Sequence, residues 1–530
     1  MKKFARILIS LTLALSLLTG TLVAAQAETE KSVNIAVTST LPSLNPLLID
    51  ATEIMKYTLS LEFLPLVELN SDLEYVPQLA ESITTEDNLT ITIKIQDDAV
   101  WSDGEPVTSE DVLFTFLLIT SPEAGQAILN QYVILGTDDA GMMPSGATEI
   151  EGVQIVDEKT INVTTKWETA LYTFENNFGR YLFVLPEHVL GDVPRDELLT
   201  YDWFNHADVI SGPYFISGYD LNHYVYFTAN ENYFMGAPKI KYLNINVVEA
   251  AGFLSGLQSR EIDLIQQTMG SVPLEDYDAI RALDGVTAVQ GTPITNESIF
   301  INVENVPDVR IRQALLYGLD RETILESFLF GNGEIVDAFL CSGSPFYSEE
   351  LGVTAYDPEK AAALIAEAAA DGASTDLDWY ANSSEAAFLN ALQYTAATFA
   401  ELGLNITIHP VDLATLMTVA EEGSFDVMSV EYTYAPVDPY TDVSWLLSAD
   451  GWTRYYNPDL DEAFLLTQST TDMDEATQAY LTIDRATVED VPMISAFITS
   501  TLGAVSERLV NATPDVFGTF INVHEWDIAE

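Results

Sequence analysis

The residues best equipped for chemistry stand together at Tyr432-Thr433-Tyr434-Ala435-Pro436-Val437-Asp438-Pro439. Tyr432 and Tyr434 are two apart, so an extended backbone puts both rings on one side. Such rings can stack on a sugar, an aromatic group or a peptide backbone, with the Thr433 hydroxyl and the Asp438 carboxylate close by. Trp379 and Tyr380 end another strand-like run, and Asn382-Ser383-Ser384 opens the helix that follows. Its first amides can hold a carboxylate or phosphate, or simply be capped by Ser383. Thr38, Ser39 and Thr40 follow the first strand and are candidates by position alone. This is binding equipment rather than catalytic equipment. The sequence contains no Gly-x-Ser-x-Gly, no P-loop and no His-Glu-x-x-His. Gly331-Asn332-Gly333 is an incomplete nucleotide fingerprint and reads as a turn. The 5 histidines are scattered without metal-ligand spacing. With 81 acidic residues a glycosidase carboxylate pair is not excluded by counting, but no constellation points to one. No enzyme activity, cofactor or metal is expected.

The elements that must position these residues fall into two rhythms. The first part mixes short strands with turns: Val33 to Val37, Asn88 to Ile95, Val153 to Val156, Thr160 to Thr164, Tyr214 to Ile216, Tyr224 to Thr228 and Lys241 to Val248 alternate as half-buried strands. Asp103-Gly104 marks a turn, and Thr108-Ser109-Glu110-Asp111 carries a capping-box pattern before a helix. The second part alternates helix and strand: helices from Val309, Glu359, Ser384 and Leu413, and strands from Asp376, Asn405 and Asp426. That alternation predicts an α/β unit with a largely parallel sheet, whose ligands collect at the carboxyl ends of its strands. The Tyr432 loop lies at such an end. The tail, from Ile494 to Val510, returns to the first rhythm.

Bulk properties narrow the partners. The chain carries 21 Lys+Arg against 81 Asp+Glu, a net charge of −60, which repels nucleic acid and anionic lipid. Lys2, Lys3 and Arg6 precede an apolar run from Ile7 to Leu18, and Ala25-Gln26-Ala27 is a small-x-small cleavage site. Residues 1–27 therefore read as a signal peptide, and the mature chain as extracytoplasmic, whether periplasmic or secreted. Leu18-Thr19-Gly20 is followed by Thr21 where a lipoprotein has cysteine, and the single cysteine is Cys341. No lipid anchor at a cysteine and no internal disulfide are expected.

A set of short blocks runs in collinear order along the chain: Gln78-Leu79-Ala80-Glu81, Val100-Trp101-Ser102-Asp103-Gly104 with the helix start to Val112, Pro186-Glu187-His188-Val189, Gly212-Pro213-Tyr214, Asn230-Glu231-Asn232-Tyr233, Arg260-Glu261-Ile262-Asp263, Val309-Arg310-Ile311-Arg312-Gln313-Ala314, Asp320-Arg321-Glu322 and Tyr356-Asp357-Pro358-Glu359-Lys360-Ala361. In that order they resemble the family 5 extracellular solute-binding proteins, the peptide- and nickel-binding class of receptors for ABC importers. The resemblance implies an α/β periplasmic-binding-protein fold of two lobes joined by a two-strand hinge. Lobe I would comprise residues 28–295 plus 495–530, with an extra subdomain at about 61–150, and lobe II residues 296–494. It implies a monomeric receptor that closes on a small solute, most simply a peptide, and hands it to an ABC permease and ATPase. An oligosaccharide receptor of the same fold, or a secreted binding or signalling protein without transport, are the alternatives. In relatives that grip a peptide by its free amino end, an aspartate stands three residues before the Asp-Pro pair. Here Asp438-Pro439 is that pair and Ala435 stands in the aspartate's place, so that particular ion pair cannot form.

Overall fold

The structure is a computed structural model that describes residues 31–529, except 50, 51, 126–128, 130, 338, 384 and 385; the signal-peptide segment, Thr21 included, and Ser384 lie outside the described residues. Two large sheets organise the chain. The first has seven strands, in the spatial order Val286–Gln290, Leu502–Ser506, Leu264–Ile265, Ser32–Val37, Tyr242–Val247, Tyr224–Ala229, Tyr214–Asp220. The second has five, in the order Asn405–Val411, Asp376–Asn382, Val427–Thr433, Thr295–Ile301, Met493–Thr499. Within the second, Asp376–Asn382 pairs in parallel with both its neighbours, as the helix–strand alternation requires. Thr295–Ile301 and Met493–Thr499 add antiparallel pairs at the other edge.

The chain crosses between these sheets twice, at residues 291–294 and 500–501, and Ile294 N–H donates to the Thr499 carbonyl where the crossings meet (3.1 Å). Two adjacent crossings between two lobes make a hinge. The strand that spans the expected boundary at 495, Met493–Thr499, belongs to the second sheet. Met493–Thr499 pairs with Thr295–Ile301 along its whole length, because its side chains complete the second lobe's core. Ala80–Thr85, Thr90–Ile95, Thr160–Thr164 and Val153–Asp157 form a separate four-stranded sheet in the region where an extra subdomain is expected. It runs past the expected limit at 150, since the hairpin around Asp157 supplies two of its strands.

Local signals explain the elements. Thr108 and Asp111 form the capping box at Ser109–Ile119. In the second lobe Asp308, Asp320, Asp357, Asp412 and Asp472 each cap a helix through a side-chain oxygen. Part of the acidic excess thus serves the orphan amides and positive ends of helices. Arg321, beside its capping neighbour, is buried and donates to Asp337 at 2.6 Å. Trp101 is fully buried beneath the Asp103-Gly104 turn, where Gly104 takes φ +96°.

Some acids are buried without full pairing. Asp484, on the helix Met473–Asp490, has one carboxylate oxygen with no partner, and burial pushes it up to about 8. Burial pushes Glu62 up to about 8 as well. A carboxyl raised in the folded state favours folding below its unfolded value, and that contribution is lost as pH rises through the folded value. Stability should therefore fall between about pH 4 and pH 8. Asp484→Asn keeps the neutral form at every pH. It should raise stability by about 1–3 kcal/mol at pH 8 and change it little near pH 4, as read by urea unfolding at the two pH values.

Candidate ligand site between the lobes

The strand Val427–Thr433 delivers the aromatic loop to the edge where the lobes meet. Tyr432 and Tyr434 lie on one side as the spacing requires, with ring centroids 4.8 Å apart. Neither ring is free. Tyr432 Oη donates to Asp442 Oδ1 (2.8 Å), Tyr434 is buried with its hydroxyl 3.2 Å from Ser298 Oγ, and Phe300 meets Tyr432 edge-on. Asp442 also accepts from the Ala435 N–H, so one carboxylate on the following helix pins both the ring and the loop. The Pro436 carbonyl accepts from Ser344 Oγ (2.6 Å). The loop is thus held in place from three sides before any ligand arrives. Thr433 is exposed, its hydroxyl 3.5 Å from that of Thr295.

Asp438 is the centre of the arrangement. It is 2% exposed, and its Oδ1 accepts from Thr173 Oγ1 of the other lobe at 3.1 Å. Its Oδ2 has no partner. Burial pushes the acid up to about 7, with the Thr173 hydrogen bond and the neighbouring Asn176 amide opposing the rise and the nearby Asp442 adding to it. Tyr75, Tyr132, Tyr172, Tyr440 and Tyr480 all lie close enough to feel its charge. A cavity of about 20 Å³, room for one water, is lined by Thr173, the donor to Asp438, with Tyr132 of the same lobe and Tyr440 of the other.

The lobes are in contact around this carboxyl. Tyr172 donates its hydroxyl to the Thr467 carbonyl and packs on Phe346, Ala170 N–H donates to Gln468 (2.7 Å), and Asn88 Nδ2 to Ser469 (2.8 Å). An apolar cluster joins Leu69 and Phe517 of the first lobe to Val336, Cys341, Val437 and Ile498 of the second, over Ile294 of the hinge. Burial raises the Cys341 thiol to about 11, so it behaves here as an apolar residue.

The structure separates the other sequence candidates. Trp379 is a core residue, 1% exposed, with its indole N–H donating to Ser429 Oγ (3.1 Å). It alternates to the face opposite Tyr380, which is why the pair cannot act together. Tyr380 stacks on His409, with centroids 4.7 Å apart, on the face shared with Tyr432. Ser383 is exposed and its N–H already donates to the Val411 carbonyl (2.7 Å), which removes that amide from any anion. Thr40 is exposed on its loop and makes no hydrogen bond among the described residues. Thr173, Tyr172, Asp442 and Tyr440 belong to the site and carry no local signal in the sequence. They reach Asp438 and its loop through the fold.

A solute receptor with two lobes, a two-strand hinge and a polar group sealed between the lobes is the class this geometry defines. Residues 74–454 match the model of the bacterial extracellular solute-binding proteins, family 5 Middle, and the chain belongs to that family. Among its relatives is a Brucella melitensis protein assigned as an ABC transporter peptide-binding protein, 26% identical, with 88% of each chain covered. The oligopeptide-binding protein AppA of Bacillus subtilis is 23% identical over 85% of this chain and 83% of its own. The structure of that protein with a nonapeptide superposes with a TM-score of 0.73, covering 94% of this chain and all of the other. The substrate-binding protein CtaP of Listeria monocytogenes superposes at 0.80 with 22% identity, over 94% of this chain and all of the other. Among the described residues no helix is long and apolar enough to cross a membrane.

Proposed function

We propose that this chain is the exported peptide-binding receptor of an ABC importer, and that it takes the peptide's amino end at Asp438 rather than at position 435. The observation that carries the second half is the unpartnered Oδ2 of a carboxyl buried at the contact between the lobes. An acid raised to about 7, chiefly by burial, is poised for a cation, because an ammonium placed against it repays the desolvation of both charges. Ala435 offers only backbone groups, its N–H already given to Asp442 and its carbonyl accepting from the Asp438 N–H, and so brings no charge. The relatives named as peptide-binding proteins support the ligand class. Export through residues 1–27, absence of a cysteine-linked lipid, a monomeric state and the lack of catalysis form part of the same reading. So does the lobe division, with lobe I returning after Thr499. Handover to a permease and ATPase completes it.

Calorimetry with tetra-alanine and N-acetyl-tetra-alanine tests the site. Acetylation removes the positive charge and leaves the backbone. The free peptide should bind, and acetylation should weaken binding by more than about 2 kcal/mol, the scale of truncating one partner of a buried charge pair. Equal binding of the two forms would remove Asp438 from ligand recognition and favour a grip along the peptide backbone.

A further inference from the structure

A roomy cavity lies away from the contact between the lobes. It is a cleft of about 450 Å³ on the first lobe, between the strands Ser32–Val37 and Tyr242–Val247 and the helix Phe253–Ser259. Odd positions of the first strand (Val33, Ile35, Val37) fill the lobe's core. The even positions face the other way, and there the register builds a grid. Asn34 stands beside Asn244 and Asn244 beside Tyr226; Ala36 stands beside Asn246 and Asn246 beside Tyr224. The helix covers only the Ala36 end of this face, through Phe253 and Leu257. The asparagines and tyrosines stay partly exposed, Tyr226 at 38%.

A half-exposed sheet face is normally solvated by threonine and charged side chains. This one carries three asparagines and a pair of stacked tyrosine rings, 4.2 Å apart and 23° from parallel. Asn244 Nδ2 donates to Asn34 Oδ1 (2.9 Å) and Asn246 Nδ2 reaches the Asn244 carbonyl (3.5 Å). That leaves the Asn34 amide donor and the Asn244 and Asn246 amide oxygens without protein partners among the described residues. Ser255 adds a hydroxyl, and Glu261 is the cleft's one charged lining residue.

We propose that this cleft is a second ligand site and that it takes a neutral oligosaccharide. The volume lies in the range of small-molecule sites and accepts one sugar ring. Uncharged amides offering both a donor and acceptors match hydroxyls, which both accept and donate. The stacked tyrosines cover each other's inner faces, and the outer face of the exposed Tyr226 is left for the next ring of the oligosaccharide beside the amides. Charge selects against the other occupants. No lysine or arginine lines the cleft and Glu261 would repel an anion, so phosphates and acidic glycans are disfavoured. A second copy of a chain with net charge −60 would be repelled as a whole.

The test uses the mature protein and three soluble probes: maltotriose, cellotriose and N,N′,N″-triacetylchitotriose. Saturation-transfer NMR and calorimetry should find at least one that binds, with a Kd on the order of 1 mM. Ser255→Trp, which fills the cleft from an exposed helix position, should abolish that binding, and Tyr226→Ala should weaken it at least about tenfold, the scale of one lost aromatic contact. Both substitutions are at accessible positions, so the melting temperature and tetra-alanine binding should stay as in the parent. No transfer from any of the three probes, binding that survives Ser255→Trp, or a dimer seen by sedimentation that Tyr226→Ala dissolves would each overturn the proposal.

Discussion

Glu68→Ala is expected to destabilise the protein by about 3–5 kcal/mol, the cost of removing one partner from a buried ion cluster. Glu68 lies on the short strand Val67–Leu69 and is 4% exposed. It accepts from Lys56 Nζ and Arg180 Nε, both at 2.9 Å, and from its neighbour's backbone N–H at Leu69 (2.8 Å). Lys56 is fully buried and Arg180 is 4% exposed. Burial alone would raise the Glu68 carboxyl, but Lys56 and Arg180 hold it below the ordinary range. Without Glu68 the two cations share only Glu53, which is 3.5 Å from Lys56 and 3.7 Å from Arg180. An exposed pair behaves differently. Lys94 bonds Glu81 at the surface, and Lys94→Ala should cost less than about 1 kcal/mol. Urea unfolding of the two variants beside the parent checks both numbers. Loss of less than about 1 kcal/mol in Glu68→Ala would mean that Lys56 sheds its proton or that water enters the cluster.

The second large effect is on binding. Asp438→Asn keeps the acceptor for Thr173 and removes the charge. It should weaken a free-amine peptide at least about 30-fold, the lower end of the cost of breaking a buried charge pair. N-acetyl-tetra-alanine should bind parent and variant alike, so the two substitutions form a double-mutant cycle whose coupling isolates the ammonium–carboxylate pair. The variant also removes a raised acid from a buried place, and its ligand-free form should be the more stable one at pH 8. A variant that binds the free peptide as well as the parent does would exclude Asp438 as the amino-end partner.

The fold was largely legible because its signals are local. Alternation at Thr90–Ile95, the capping box at Thr108 and Asp111, and the helix–strand rhythm from Val309 to Thr433 each declare an element within a few residues. The tail misled by a few positions. Met493–Thr499 and Leu502–Ser506 have the same strand-like composition, and only pairing assigns the first to one sheet and the second to the other. The site was less legible, for a physical reason. The position of the Tyr432 loop follows from sheet topology, so the region could be read. What each side chain meets does not follow. Trp379 and Tyr380 are chemically alike as candidates, and one-residue alternation sends the first to the core. Thr173 lies 265 positions from Asp438 in the sequence, and no local pattern links them. The hidden fact about Asp438 was its burial, which converts an ordinary Asp-Pro turn residue into an acid raised to about 7.

Two lobes on a two-strand hinge are expected to close over a peptide. Small-angle scattering of the mature protein, measured alone and with saturating tetra-alanine, tests that closure most directly. The account predicts that the radius of gyration falls on adding the free peptide, as the lobes meet around Asp438, and that it falls less in Asp438→Asn at the same peptide concentration. A radius unchanged at a peptide concentration where calorimetry shows the site to be full would contradict it.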